Sequence, residues 1–183
     1  RLLFGLIMKL YSYRYCYIFG IVFSLCPLFS SASDLSLNFT GNAIVTGCDV
    51  EFGNSGKNQE IDFKTVTTTK SGTGLSGLVT QPFSLKLSSC VGTINKVSVS
   101  MSGKADTGFP EYFAINSGTG SAQGLVYGVN VKGDKNKKQK PDGTVVEWSS
   151  TAQPLEYEAT LYKTGNVDGG LAQASIDISI GYQ

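Results

Sequence analysis

The sequence predicts an all-β fold, a sandwich of about seven strands. Apolar and polar residues alternate with period two over short runs, which is the pattern of strands with one buried face. Clusters of Gly, Ser, Thr, Asn and Asp separate these runs and supply turn chemistry. No run carries a sustained helical period. At 183 residues, 41% apolar and 16% charged, the chain is long and apolar enough to bury one core.

The alternating runs place the predicted strands in chain order. They cover residues 35–39, 83–87, 97–101, 125–131, 144–148, 155–162 and 174–182. Residues 118–124 are rich in glycine, but their spacing differs from that of a phosphate-binding loop and no helical pattern follows, so we predict a turn. Residues 132–140 contain five lysines. A solvated hairpin loop is the favoured prediction for this segment, and a patch that binds a partner is the alternative.

Residues 1–32 have the features of a secretory signal peptide. Basic residues precede an apolar run over residues 16–29, and small residues follow at 30–32. We predict cleavage before Ser33, with Met8 as the true start of translation. The alternative is a retained membrane anchor, but the apolar run is shorter than the roughly 20 residues that span a bilayer.

Composition excludes several classes of function. Without the predicted signal the chain keeps 12 basic and 14 acidic residues, a net charge of −2, and no arginine. Nucleic acids and anionic lipids require a basic surface, so neither is an expected partner. The chain contains no histidine, which rules out Ser-His-Asp and Cys-His catalysis. We expect no cofactor, no metal and no small-molecule substrate.

Two cysteines remain after the predicted cleavage, Cys48 and Cys90. In an exported chain, two cysteines indicate one disulfide formed in an oxidising compartment. Two thiols without a histidine would make an unusual metal site. The loop closed by the disulfide is long, so the predicted contribution to stability is about 3–4 kcal/mol.

The C-terminal end carries the most specific pattern. Gly170 is the fourteenth residue from the end, Ile176, Ile178 and Ile180 alternate after it, and Tyr182 is penultimate. This arrangement resembles the C-terminal pattern of the pilins of chaperone-usher fimbriae.

The N-terminal end of the exported chain resembles the same family. Leu35, Leu37, Phe39 and Gly41 alternate ahead of residues 42–48, like the donor-strand extension and first strand of a pilin. In the middle, residues 82–90 resemble the second strand that ends in the paired cysteine, and residues 97–106 resemble the strand that ends in a Ser-Gly-x-Ala-Asp turn. The donor-strand extension would be residues 33–41, and the whole segment ahead of Cys48, residues 33–47, is short. It is therefore most similar to that of minor or adaptor subunits, and residues 42–183 would form the pilin domain.

The resemblance implies an incomplete immunoglobulin-like sandwich that lacks its last strand. It implies an apolar groove beside residues 174–182, which a periplasmic chaperone covers with its own strand. A neighbouring pilin subunit then replaces that strand at an outer-membrane usher, and the chain reaches the cell-surface fimbria. Gly170, Ile176, Ile178, Ile180 and Tyr182 would form the acceptor strand. In this mode of recognition an extended segment joins an exposed sheet edge, where main-chain hydrogen bonds supply affinity and alternate side chains supply specificity.

Three alternatives remain from the residues themselves. The alternation at 35–39 also fits an ordinary first strand packed in its own domain. A single-domain carbohydrate-binding adhesin would stack a sugar on Trp148, Tyr157 or Tyr162. An enzyme would need a carboxylate pair such as Glu156 and Glu158, but neighbouring acids on a strand usually form a solvated face.

Overall fold

In the computed structural model, residues 36–40, 47–52, 58–149 and 154–183 are described, and these residues contain eleven strands and no helix. Accordingly, no helix that could span a membrane occurs among them. The strands are β1 Ser36–Thr40, β2 Asp49–Phe52, β3 Asn58–Asp62, β4 Ser76–Ser88, β5 Lys96–Gly103, β6 Phe113–Ala114, β7 Gln123–Val131, β8 Asp134–Gln139, β9 Asp142–Ser149, β10 Leu155–Asp168 and β11 Gln173–Tyr182.

The strands form two facing sheets. The first sheet has the order β3-β1-β11-β5-β9, and the second has the order β2-β4-β10-β7-β6, with β8 paired to β7. The described pairings are antiparallel with one exception among the named strands, which is β1 with β11. The predicted all-β sandwich is confirmed.

The core lies between the sheets and follows from the alternation in sequence. Successive side chains of a strand point to opposite faces, so every second residue of the central strands faces the core. The fully buried side chains of β5, β10 and β11 are Val97, Val99, Met101, Leu155, Tyr157, Ala159, Leu161, Ala174, Ile176 and Ile178. The opposite faces carry small polar residues, such as Ser175 and Ser179 on β11.

One predicted loop is wrong. Within residues 132–140, Asp134–Gln139 form β8, which pairs antiparallel with β7 after a turn at Gly133 with φ 78°. Lys138 lies 4.7 Å above the Tyr112 ring, and Gln139 is completely buried. The segment was not recognisable as a strand because its side chains are polar on both faces.

A buried polar network crosses the sandwich near one end. The indole nitrogen of Trp148 donates a hydrogen bond to the Tyr157 hydroxyl at 2.8 Å. The amide nitrogen of Gln139 donates to the Val99 carbonyl at 3.1 Å and, more weakly, to the same hydroxyl at 3.4 Å. The ring of Tyr157 stacks on Phe83 with centroids 5.4 Å apart. These contacts tie β8 and β9 to the central strands of both sheets.

Candidate functional site: the cleft beside the C-terminal strand

The strand β1 fills a cleft between β3 and β11. It runs parallel to β11, with Leu37 opposite Ala174, and antiparallel to β3, with Leu37 opposite Ile61. Leu37 has no exposed surface, and Ile61 is also buried. A five-residue segment from the N-terminal end therefore contributes a side chain to the centre of the core.

The wall of the cleft is β11. Ala174, Ile176 and Ile178 point into the core and are buried, and Ile180 is half-buried. On its other side β11 pairs with β5 from Ile176 to Tyr182. The pairing with β1 covers only the first half of β11, Gln173 to Asp177. A strand that entered this cleft would thus gain main-chain hydrogen bonds to β11 on one edge and to β3 on the other, and an apolar floor.

Gly170 fixes the start of β11. A Cβ at this position would lie 2.5 Å from the Gly120 carbonyl oxygen and 2.7 Å from the Ala122 nitrogen. The following residue, Leu171, is held by the same turn, because its N–H donates to the Gly120 carbonyl at 2.8 Å and its carbonyl accepts from Ala122 at 3.0 Å. Only a residue without a side chain permits this approach of two backbones.

A buried tyrosine adds a second anchor at this end. The Tyr127 hydroxyl donates a hydrogen bond to the Ala172 carbonyl at 2.8 Å. Tyr127 is fully buried beside Phe63, with ring centroids 5.1 Å apart. Burial raises the pKa of the Tyr127 phenol well above its usual value, so the hydroxyl remains a hydrogen-bond donor over the physiological range.

Tyr182 fixes the other end of β11. Its ring lies against Gly47, where an added Cβ would meet the ring carbons at 3.0 Å. Its hydroxyl donates to the Cys48 carbonyl at 3.4 Å. Burial, with a smaller contribution from the negative charge of Asp49, raises the pKa of Tyr182. The penultimate tyrosine therefore joins the last strand to the segment that precedes β2.

The predicted disulfide is confirmed, because Cys48 and Cys90 are bonded. It links the start of β2 to the residues that follow β4. Next to it, the Val91 N–H donates to the Gly47 carbonyl at 2.5 Å. Gly47 is thus held by β11 on one side and by the disulfide loop on the other.

An apolar cavity of about 300 Å³ lies beyond the Gly170 end of β11. Val66, Leu78, Leu125 and Leu161 are among its lining residues. Residues 69–71 lie at the edge of this cavity. Lys163, which is only 6% exposed, holds them in place, because its ammonium donates hydrogen bonds to the Thr69 and Ser71 carbonyls at 2.5 and 2.7 Å.

The structure brings most of the predicted residues of this site together. Leu37 lies beside Ala174 and near Ile176, and Gly170 and Tyr182 bracket the strand that carries the three isoleucines. The backbone of Phe39 pairs with Ile176. Leu35, Gly41 and residues 42–46 of the predicted first strand lie outside the described residues.

Three contributors were not predicted from the sequence. Ile61 on β3, Tyr127 on β7 and Gly47 all contact the cleft or its ends. The strand β3 gave little signal because Ile61 is the only apolar residue in it. Tyr127 lies in a run of mostly apolar residues that predicts a strand but not the role of any one hydroxyl.

The three aromatic residues considered for sugar stacking do not share a surface. Tyr157 is fully buried between the sheets and Trp148 donates to it. Tyr162 lies on the opposite face of β10, edge-on to Tyr112 with centroids 5.3 Å apart. Of the two carboxylates considered for catalysis, Glu156 pairs with Lys132 at 2.9 Å on the surface.

Comparison with known proteins gives a family match over most of the chain. The model of the family described as "Fimbrial protein" matches residues 37–183. A search of curated proteins found no match.

Solved structures with a similar fold include pilus proteins. The rod subunit PapA of the P pilus has a TM-score of 0.55 at 21% identity, covering 74% of this chain and 91% of that chain. The CupB6 tip adhesin of Pseudomonas aeruginosa has a TM-score of 0.50 at 15% identity, covering 79% of this chain and 39% of the adhesin. An antigen and type I fimbria protein of Burkholderia pseudomallei has a TM-score of 0.48 at 18% identity, covering 82% of this chain and 98% of that chain.

Proposed function

The chain belongs to the family of fimbrial proteins and is a structural subunit of a cell-surface fimbria, and from this premise we propose that it joins its neighbours by strand exchange at the cleft beside β11. The observation that carries the proposal is the position of β1. A short N-terminal segment lies between β3 and β11 and buries Leu37 in the core. The cleft is therefore shaped to receive one strand with alternating apolar side chains.

The proposed donor is the extension of residues 33–41. In the fibre, this segment of one subunit would enter the cleft of the next and present Leu35, Leu37 and Phe39 to its core. Burial of these three side chains contributes roughly 5–9 kcal/mol of apolar transfer before ordering costs are subtracted. Gly41, which has no side chain, would allow the strand to approach the floor closely.

The proposed route begins with export. Residues 1–32 would direct the chain to the periplasm, where the disulfide forms. There a chaperone would pair its own strand with β11 along Ile176, Ile178 and Ile180, because an open strand edge beside apolar surface promotes aggregation. An outer-membrane usher would then exchange the chaperone strand for that of a neighbouring subunit. The short extension favours a minor or adaptor subunit, and we assign the chain no enzymatic role.

The test is the incorporation of two matched variants into fimbriae. Leu37→Asp places a charge at the centre of the donor strand, and Asn38→Asp places the same charge on its exposed face. We expect Leu37→Asp to reduce the attachment of the next subunit at least about tenfold, since burying an unpaired carboxylate is costly. The chaperone complex should form normally, because the chaperone strand would replace β1.

The measurements are the amount of subunit in sheared fibres and the amount that co-purifies with the chaperone. Asn38→Asp should match the wild type in both. Wild-type assembly of Leu37→Asp would contradict the assignment of residues 33–41 as the donor. Loss of chaperone binding and assembly together would contradict the separation of donor and acceptor segments.

A further inference from the structure

We infer that β9 is the surface on which two fimbriae associate side by side, with β9 of a subunit in one fibre paired antiparallel to β9 of a subunit in another. The inference goes beyond strand exchange at the β11 cleft, because it concerns the opposite end of the first sheet. It requires only that the chain is a subunit of a fimbria.

The strand β9, Asp142–Ser149, forms one end of the first sheet. The order of that sheet is β3-β1-β11-β5-β9, and within the described part of the chain β9 pairs with β5 alone. Alternate residues in the middle of β9 therefore direct their main-chain N–H and C=O groups away from β5, where a further strand can bind them. The cleft for the proposed exchange lies between β3 and β11, so a donor strand that fills the cleft leaves the β9 edge open.

The other outer strands are short or charged, and β9 is neither. β2 has four residues, β6 has two, and β3 has one apolar residue among its five. β8 carries three lysines and no apolar residue. Short length and charge protect a sheet edge against pairing with another chain. β9 has eight residues, and four of them are of the β-branched or aromatic types that favour strands. These four are Thr144, Val145, Val146 and Trp148.

Val145 gives this edge an apolar contact for a partner. It is 58% exposed, whereas the next residue, Val146, is buried. The exposed large apolar side chains of the described residues are Leu75, Val91 and Val145, and Val145 is the one that lies in a strand. Its neighbour on β5 is Ser100, whose small side chain leaves the valine uncovered. A strand that pairs with β9 can cover Val145 while it binds the main chain.

The sequence of β9 matches its own copy in one antiparallel register. When two identical strands pair around a twofold axis, the axis passes between the two copies of one residue. With Val145 at the axis, the two exposed valines are in contact, and Glu147 of each chain faces Gly143 of the other copy. An axis at Val146 would place Val145 opposite a carboxylate, and an axis at Glu147 would place two carboxylates opposite each other, which is destabilising. The favoured partner is therefore a second copy of this chain, joined at Val145.

A single β9 pair is a small contact, and repetition along a fibre makes it effective. Two single strands bury less than the roughly 1,200 Å² of a standard interface, so isolated subunits should remain monomeric. A fibre repeats the same edge on every copy of the subunit. After one pair has formed, further pairs between the same two fibres are intramolecular, and such linkage raises the overall affinity by about 100- to 10,000-fold. Bundles of fibres, rather than dimers of subunits, are the expected product.

The first experiment measures bundling of sheared fimbriae by low-speed sedimentation and electron microscopy. Wild-type fibres should form bundles that sediment. Val145→Lys places a charge on the open edge and should reduce the sedimenting fraction at least about tenfold, because a lysine on an edge strand opposes pairing. Leu75→Lys makes the same change at an exposed apolar residue outside β9 and should bundle like the wild type. Wild-type fibres that stay single, or equal bundling of Val145→Lys and the wild type, would overturn the inference.

The second experiment tests the register. Directly opposite Cα atoms of an antiparallel pair are about 4.5–5.5 Å apart, which is within the range that a disulfide bridges. Oxidised fibres of Val145→Cys should therefore yield subunit dimers on non-reducing gels after the fibres are dissociated. Ser179→Cys, on the exposed face of β11 in the same sheet, should yield few. Dimers from neither variant, or from both equally, would overturn pairing through β9.

The amount of subunit in the sheared fibres is measured for every variant, since it reports assembly separately from bundling. Normal amounts in fibres that stay single would overturn the β9 contact alone. Absence of the wild-type chain from fibres would contradict strand exchange as well.

Discussion

Gly170 shows how one residue without a side chain can determine where β11 begins. The distances from a hypothetical Cβ to the backbone of Gly120 and Ala122 leave no space for any other residue. These contacts involve backbone atoms, which cannot move aside as a flexible side chain can. The resemblance to the C-terminal pattern of pilins singles out Gly170, but the reason for glycine is visible only in the packing.

Gly170→Ala is accordingly expected to destabilise the subunit by about 1–3 kcal/mol, the usual cost of overpacking. Gly169→Ala is the matched control, because a Cβ at Gly169 would meet nothing within 4 Å. Urea denaturation of both variants would give the free energies of unfolding. Equal stability of the two variants would show that the turn relaxes at no cost and that Gly170 does not fix β11.

Tyr157 gives the fold a sensitivity to high pH. Burial raises the pKa of its phenol to about 12, although hydrogen bonds donated by Trp148 and Gln139 partly offset the effect. The phenol ionises near pH 10 in the unfolded chain. Because the folded state holds this proton more tightly, the stabilisation is complete below pH 10 and is lost as the pH rises toward 12. The difference corresponds to a few kcal/mol, at roughly 1.4 kcal/mol per pKa unit.

The free energy of unfolding should therefore fall steeply between pH 10 and pH 12. Tyr157→Phe should be less stable at pH 7 by about 1–3 kcal/mol, because the half-buried Trp148 N–H loses its acceptor and Gln139 loses the weaker of its two hydrogen bonds. Its further loss of stability at high pH should be smaller. Denaturant melts at pH 7, 10 and 12 would measure both effects. An unchanged slope above pH 10 would show that another group causes the alkaline loss.

At the scale of elements, β11 has one buried face, one exposed face and two edges that pair with other strands. Its isoleucines face the core, its serines face solvent, one edge pairs with β5 and the other edge pairs with β1. The sequence alone predicted the faces correctly because alternation determines them. It could not determine which strand would occupy the second edge, since the alternation in residues 35–39 suits its own cleft and a neighbour's equally well.

If a chaperone pairs with β11 as proposed, Ile178→Ser should weaken its capture of the subunit and lower the periplasmic yield. Ile178 is 2% exposed, so the variant also loses core packing, with a cost of about 2–5 kcal/mol by analogy with other truncations of buried isoleucine. Ser179→Ala, on the exposed face of the same strand, is the control. Co-purification with the chaperone measures capture, and a yield and capture equal to those of the control would argue against the role of Ile178.

The elements missed by sequence analysis have a common physical cause. Short or polar strands do not alternate between apolar and polar residues, and β3, β6 and β8 are of this kind. Neighbouring strands hold them in place through main-chain pairing, which composition does not reveal. By contrast, the long central strands β4, β10 and β11 each contributed regular apolar positions, and these were predicted.

At the scale of the whole molecule, the first sheet includes a strand of only five residues, β1, in its interior. Both sheets share one core, the disulfide and Tyr182 join the ends of β2, β4 and β11, and β1 completes the first sheet between β3 and β11. Removing β1 would expose the apolar floor and the edges of two strands. The same dependence would make a donor strand bind tightly and hold a fibre together without covalent bonds.

The most direct test of strand exchange at the β11 cleft is the thermal melting of residues 46–183, refolded with the disulfide formed, in the presence and absence of a peptide that covers residues 33–46. A peptide that binds only the folded state raises the melting temperature, and we predict an increase on the order of tens of degrees. A truncated chain that is stable alone and shows no shift with this peptide or with a donor strand from another pilin would contradict the exchange.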